Sequence, residues 1–176
     1  MLAYVFWHWP RTAVERNAYE DDLVRFHAAL AASPPPGFLG SSAARVTGAP
    51  WCEQAPAYED WYRVDDFAAL GVLNEAAVSG SLRGPHDAVA ARAAGGAAGL
   101  YAPVRGGELT ASSVVWVGKP GGVAYPDFVD SLAAETVWQR QLVLGPTPEF
   151  VLARPTGGLV PGIRVEVAAV WPRASA

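Results

Sequence analysis

The sequence predicts an α+β fold in which a β-α-β-β-(α)-β order of elements occurs twice along one chain. Short apolar segments rich in aromatic residues, bounded by Pro and Gly, alternate with segments of helical periodicity. The order of these segments in the second half of the chain matches the order in the first half. The chain has 176 residues, of which 51% are hydrophobic and 17% charged, so it can bury a sizeable core.

The first half begins with an apolar strand over residues 2–9, which Pro10 ends. One face of this strand carries Tyr4, Phe6 and His8, and the other carries Trp7. The remaining elements predicted in this half are a helix over 19–32, strands over 38–47 and 58–64, a helix capped by Asp65, a helix over 85–94 and a strand over 98–104.

The second half repeats this order with a Gly/Pro loop over 156–162 in place of the last helices. Its first strand can be aligned with the first strand of the chain, residue 114 with residue 4. We therefore predict two half-domains, 1–108 and 109–176, that share one core. The elements predicted here are strands over 113–119, 137–144, 149–154 and 164–171 and a helix over 125–135.

The β-α-β-β-(α)-β order is that of a ferredoxin-like unit, which leaves one face of its sheet without helices. We expect the two units to bury these faces against each other. In this order, and in the aromatic strand that leads into an Asp-capped helix over Trp61–Phe67, the chain resembles the dimeric α/β-barrel superfamily, which includes EthD-like and antibiotic-biosynthesis-monooxygenase-like proteins. The resemblance implies a tandem-repeat form, with antiparallel sheets packed as an α/β-barrel-like pseudo-dimer.

Composition and charge exclude several classes of partner. The net charge of −4 argues against nucleic acid as a partner. No apolar run reaches the roughly 18 residues of a membrane span, and the N-terminus lacks the basic region of a signal peptide. The single cysteine, Cys52, excludes an internal disulfide and fits a reducing compartment. We expect a cytoplasmic protein whose sparse charge and many aromatic residues are compatible with a homodimer.

Two of the three histidines are candidate acid–base residues. His8 ends the first strand between two tryptophans, and His86 follows Pro85 at a helix start. Histidine titrates near neutral pH and transfers protons in many enzymes. His27 lies beside the apolar stripe of the first helix and is interpreted as a core residue. No spacing of a metal motif or of a phosphate-binding loop occurs, so the sequence predicts neither a metal nor a cofactor.

Aromatic residues are the candidate ligand contacts. Seven tryptophans lie mostly on predicted strands, where such rings fill cores or line small-molecule pockets. Trp9, Trp61 and Arg63 are predicted to bind the ligand beside His8, with Arg63 near a negatively charged oxygen. The neighbouring carboxylates Glu59 and Asp60 are a further candidate, because a close pair with separated pKa values can act as acid and base.

Two functions are compatible with these features. The first is binding of a small apolar or aromatic metabolite without a demonstrable reaction. The alternative, implied by the resemblance, is a cofactor-free monooxygenase-like or isomerase-like enzyme that uses a histidine as acid and base.

Overall fold

The computed structural model describes residues 1–107, 109–157 and 160–172. These residues form eight strands and four helices. In chain order the elements are β1 (Leu2–Pro10), α1 (Arg16–Ala32), β2 (Phe38–Thr47), β3 (Ala57–Val64), α2 (Phe67–Ala77), α3 (Arg83–Arg92), β4 (Ala93–Arg105), β5 (Ser113–Val117), α4 (Tyr125–Ser131), β6 (Ala134–Arg140), β7 (Phe150–Pro155) and β8 (Ile163–Trp171).

The strands form one closed antiparallel barrel in the order β1-β3-β2-β8-β5-β7-β6-β4. Each half of the chain contributes four adjacent strands. The halves are joined by hydrogen bonds at two seams, where β2 pairs with β8 and β4 pairs with β6. Closure gives each strand a partner on both sides, so the sheet has no exposed edge.

The fold class predicted from the sequence is therefore wrong. Two ferredoxin-like repeats with separate sheets packed against each other would leave four strand edges, whereas here the strands continue around a single barrel. The descriptions ferredoxin-like, dimeric α/β barrel and tandem repeat fail for the same reason. Apolar residues on both faces of a strand fit a pair of packed sheets covered by helices, but a closed barrel covered by helices produces the same pattern.

The positions of most predicted elements agree with the structure, but β4 begins earlier than the predicted strand. Gly95 and Gly96, expected to follow a helix end, pair with Trp9 and His8 inside β4. A Cβ at Gly96 would lie 2.5 Å from the Phe6 ring, and one at Gly95 would lie 2.9 Å from the Trp9 ring. The glycines are thus needed because aromatic rings of β1 cover them.

Another difference concerns the start of α2. Its N-cap is Asp66, not the predicted Asp65, and the Asp66 carboxylate accepts a hydrogen bond from the backbone N–H of Ala69 at 2.9 Å. This bond satisfies one of the free N–H groups at the helix start. α2 therefore begins one residue later than the sequence indicates.

Aromatic rings fill the barrel interior. The alternation of β1 directs Val5 and Trp7 inward, where Trp7 contacts the rings of Trp51, Tyr101 and Trp116 edge-on at centroid distances of 5.5–6.2 Å. Edge-to-face contacts of this kind are favoured between aromatic rings. The interior is thus a packed core and leaves the outer face of the barrel for a ligand site.

A buried carboxylate lies among these rings. Both oxygens of Glu59 accept hydrogen bonds, one from the indole N–H of Trp7 and one from that of Trp61, each at 2.6 Å. Burial raises the pKa of Glu59 to about 6, although the two indole donors oppose the shift. The folded protein therefore holds a proton on Glu59 over a pH range in which the unfolded chain has lost it.

Helices α1, α2 and α3 cover the outer face of β1, β3 and β4. The apolar cluster between them includes Phe26 and Leu30 of α1 and Leu73 of α2. α4 covers the outer face of the second half through a separate cluster around Phe150. Of the helices in the described ranges, none has the length and apolar content needed to cross a membrane.

The raised pKa of Glu59 predicts a pH-dependent stability. As pH rises from about 4.5 to about 6, the unfolded chain releases this proton first, so the free energy of unfolding should fall by about 2 kcal/mol. Glu59→Gln removes the titration. The free energy of unfolding of the natural protein should therefore fall relative to that of the variant as pH rises. Urea denaturation of both proteins across this range measures this change. Parallel stability curves for the two proteins would contradict the assignment.

Candidate functional site

A cavity of about 880 Å³ lies between the outer face of β1, β3 and β4 and the helices α1, α2 and α3. Most of its wall is aromatic or aliphatic, including Phe6, Phe26 and Leu73. This size and lining are typical of sites for small molecules. The polar groups on its wall are therefore the candidates for chemistry.

The carboxylate of Asp60, on the cavity wall, is almost completely buried, with 2% of the residue exposed. Three groups meet at its Oδ2 atom. The hydroxyl of Tyr62 donates a hydrogen bond at 2.8 Å, the Nε2 atom of His8 lies at 3.2 Å and that of His27 at 3.4 Å. A buried negative charge is stable only with such partners.

Each imidazole makes a second contact on its other nitrogen. The Nδ1 atom of His8 is 2.7 Å from the hydroxyl of Tyr19, and the Nδ1 atom of His27 is 2.7 Å from that of Ser41. A continuous chain of polar groups therefore crosses the space between β1, β3, β2 and α1. We call it the Asp60 network; its members are Tyr19, His8, Asp60, His27, Ser41 and Tyr62.

The donor and acceptor roles in these contacts follow from the chemistry of the groups on each side. A carboxylate only accepts, so in each neutral imidazole the proton lies on Nε2, facing Asp60. The Nδ1 atom then offers a lone pair, and the hydroxyl of Tyr19 donates to His8 while that of Ser41 donates to His27.

The electrostatics of the network favour the charged form of Asp60. Burial alone would raise the pKa of its carboxyl, but the positive charges that His8 and His27 carry when protonated, together with hydrogen bonds from these rings, outweigh burial and hold this pKa well below its usual range. Burial and the charge of Asp60 raise the pKa of both Tyr19 and Tyr62, so each keeps its hydroxyl proton. Asp60 therefore acts as the fixed charge that orients its partners.

Ring contacts fix the orientation of both imidazoles. His8 is stacked between Phe6, at a centroid distance of 5.0 Å, and Tyr58, at 5.7 Å. His27 is stacked on Tyr62 at 5.3 Å. Packing on these rings limits ring rotation, so the nitrogens remain directed at their partners.

A second buried carboxylate, that of Asp22, forms an ion pair that holds α3 against α1 beside the cavity. Asp22 of α1 is 1% exposed, and its Oδ2 atom lies 3.1 Å from Nε of Arg92 at the end of α3. α3 carries His86, whose half-exposed ring lies on the cavity wall with Nδ1 3.1 Å from a carboxylate oxygen of Asp87. The Asp22–Arg92 pair thus places His86 at the rim of the cavity.

The residues predicted from the sequence fall into two groups. The catalytic candidates His8 and His86 line the same cavity. The ligand candidates Trp9, Trp61 and Arg63 are not among the described residues that line it. Trp61 points into the barrel and is bonded to Glu59, and the strand alternation places Arg63 on that same face of β3.

Glu59 and Asp60 are adjacent but do not act as a pair. They lie within β3, where successive side chains point to opposite faces, so Glu59 is inside the barrel and Asp60 is outside it. No pattern in the sequence identified Asp60, Tyr19 and Ser41 as partners of the histidines. A usable signal was present, since a carboxylate in the middle of a strand, between Tyr58 and Tyr62 on the same face, needs partners.

The comparisons with known proteins give no relative: no family model, no curated protein and no solved structure matches the chain. The resemblance to EthD-like and antibiotic-biosynthesis-monooxygenase-like proteins stays a prediction. Within the described ranges, no cluster of three or more His, Cys, Asp or Glu side chains is arranged to hold a metal ion. The cavity and the Asp60 network are therefore the features that indicate a function.

The central role of Asp60 predicts a large effect on stability. Asp60→Asn removes the charged acceptor that the N–H groups of His8 and His27 face, so the free energy of unfolding at neutral pH should fall by about 1–3 kcal/mol. Because the pKa of Asp60 is depressed, its contribution is present above the ordinary carboxyl pKa, and acid should shrink the difference. Urea denaturation measures both effects.

The matched control is Asp87→Asn, which changes an exposed carboxylate that contacts His86. It should leave the free energy of unfolding nearly unchanged, because this carboxylate is exposed to solvent. Equal stability of Asp60→Asn and the natural protein would show that the network does not depend on this charge.

Proposed function

We propose that this protein binds a small, largely apolar molecule in the cavity and removes a proton from it, with His8 as the base. The observation that supports this most directly is the position of His8 on the cavity wall, with Nε2 3.2 Å from the buried carboxylate of Asp60. A carboxylate behind an imidazole orients the ring and stabilises the imidazolium that forms when the ring accepts a proton.

The lining of the cavity supports a neutral ligand. None of the described residues on its wall is Lys or Arg, so an anionic ligand would have no cationic side chain to pair with. Aromatic and aliphatic side chains favour apolar surface on the ligand. A small aromatic or aliphatic molecule with one weakly acidic hydrogen fits these conditions.

Binding without a reaction is the second candidate. It is favoured by the fact that both nitrogens of His8 already have partners within the protein, Asp60 and Tyr19. A histidine with two internal partners can serve stability alone. The two candidates share the cavity and differ in whether a proton moves.

Two other predictions from the sequence remain proposals, namely a cytoplasmic location and a homodimer. Cys52 has no part in the proposed chemistry, because burial and the nearby charge of Glu59 raise the pKa of its thiol to about 11. A thiol that stays protonated is a poor nucleophile.

The apolar cavity should bind a neutral fluorescent dye such as N-phenylnaphthylamine, whose emission increases in apolar surroundings. Ala77→Phe adds a ring to a residue of α2 that lines the cavity, so it should weaken dye binding about tenfold or more. Val72→Phe adds the same ring to an exposed residue of α2 outside the cavity and should leave affinity unchanged. Equal affinities of the two variants in a fluorescence titration would place the dye elsewhere and contradict the proposed site.

A further inference from the structure

We infer that Tyr19 is the catalytic residue that contacts the ligand, that His8 acts through it, and that the substrate is a neutral molecule with a weakly acidic O–H group. This inference rests on the function proposed above. It adds the class of substrate and the residue that receives the proton.

The occupied nitrogens of His8 are the first reason. Nε2 faces Asp60 at 3.2 Å and Nδ1 faces the hydroxyl of Tyr19 at 2.7 Å. Stacking between Phe6 and Tyr58 holds the imidazole in this position. A ligand proton can therefore reach Nδ1 only along the hydrogen bond that Tyr19 already makes.

The hydroxyl of Tyr19 is the second reason. Tyr19 lines the cavity together with His8, and its hydroxyl donates its one proton to His8. The Tyr19 oxygen has further lone pairs, and no other hydrogen bond to it is found among the described residues. Tyr19 is 0% exposed, so a ligand reaches this oxygen only when the packing around it opens locally. The oxygen then accepts a hydrogen bond from the ligand without breaking the contact with His8.

The proton transfer is balanced within these groups. The O–H bond of the ligand breaks and its proton moves to the oxygen of Tyr19, while the proton of Tyr19 moves to Nδ1 of His8. The products are a ligand anion, a neutral Tyr19 and an imidazolium at His8 beside the carboxylate of Asp60. Burial raises the pKa of Tyr19, so a free tyrosinate is avoided when the two protons move together.

The other polar groups of the cavity fit this role less well. Tyr62 donates to Asp60, whose depressed pKa makes it a weak base. His86 lies at the rim on α3, and its Nδ1 contacts Asp87 outside the Asp60 network. Among the residues that the structure describes, the titratable ones on the cavity wall are Tyr4, His8, Tyr19, Asp60, Tyr62 and His86.

The test uses para-nitrophenol, a small neutral phenol whose anion is yellow. At a pH about one unit below the pKa of the free probe, most of the free probe is neutral. If the inference is right, binding to the natural protein raises the ratio of ionised to neutral probe. Tyr19→Phe should lower this ratio in the bound probe about tenfold or more, and His8→Gln should do the same.

The matched control is Tyr58→Phe. This change removes the hydroxyl of a tyrosine that also packs on His8, but that hydroxyl donates to Glu20 and Tyr58 does not line the cavity. The ratio of ionised to neutral probe bound to this variant should equal the ratio measured with the natural protein. If Tyr19→Phe does not fold by circular dichroism, Tyr19→Leu removes the same hydroxyl and is used in its place.

The outcomes separate this inference from the proposed function. Ionisation that survives in the Tyr19 variant but is lost in His8→Gln would overturn the inference and leave His8 as a direct base. Binding of the probe without ionisation by the natural protein would overturn both the inference and proton removal. Failure of the natural protein to bind either this probe or the neutral dye would contradict the cavity as the site.

Discussion

The buried negative charge of Asp60 is the constraint on which the site depends. A carboxylate with 2% exposure has little contact with water, so its charge must be balanced mainly by groups of the protein. Here β1 supplies His8, α1 supplies His27 and β3 itself supplies Tyr62, so one oxygen atom joins three elements. Loss of any of these contacts would leave a charge or a donor unpaired, which couples the packing of α1 on the barrel to the geometry of the cavity.

Strand β3 separates two environments with opposite effects on neighbouring carboxylates. Glu59 lies inside the barrel, where indole N–H groups are its partners, and burial raises its pKa to about 6. Asp60 lies outside the barrel, where two imidazoles reverse the effect of burial. Strand alternation alone produces this difference between adjacent residues. The barrel interior thereby serves the core, while the outer face under the helices holds the cavity.

Local patterns in the sequence were sufficient to predict most strands and helices, since Pro, Gly and apolar periodicity are local signals. Closure of the barrel was not predictable, because the pairing of β2 with β8 and of β4 with β6 joins segments far apart in the chain. His8 was identified from its place at a strand end. His27 is fully buried, as its place beside the apolar stripe of the first helix indicates. Its contact with Asp60 depends on how α1 packs across β3, which no local pattern encodes. Trp61 is predicted beside the ligand but lies inside the barrel. The sequence does not separate the two sides of β3, because aromatic residues occur on both faces of this strand.

The central claim is that Asp60 holds two imidazoles in the same neutral form, with the proton on Nε2 and a lone pair on Nδ1. Heteronuclear NMR that correlates the ring nitrogens and ring protons of the histidines measures this form directly. At about pH 8 we expect a proton on Nε2 and none on Nδ1 for both His8 and His27. A proton on Nδ1 of either ring under these conditions would contradict the account.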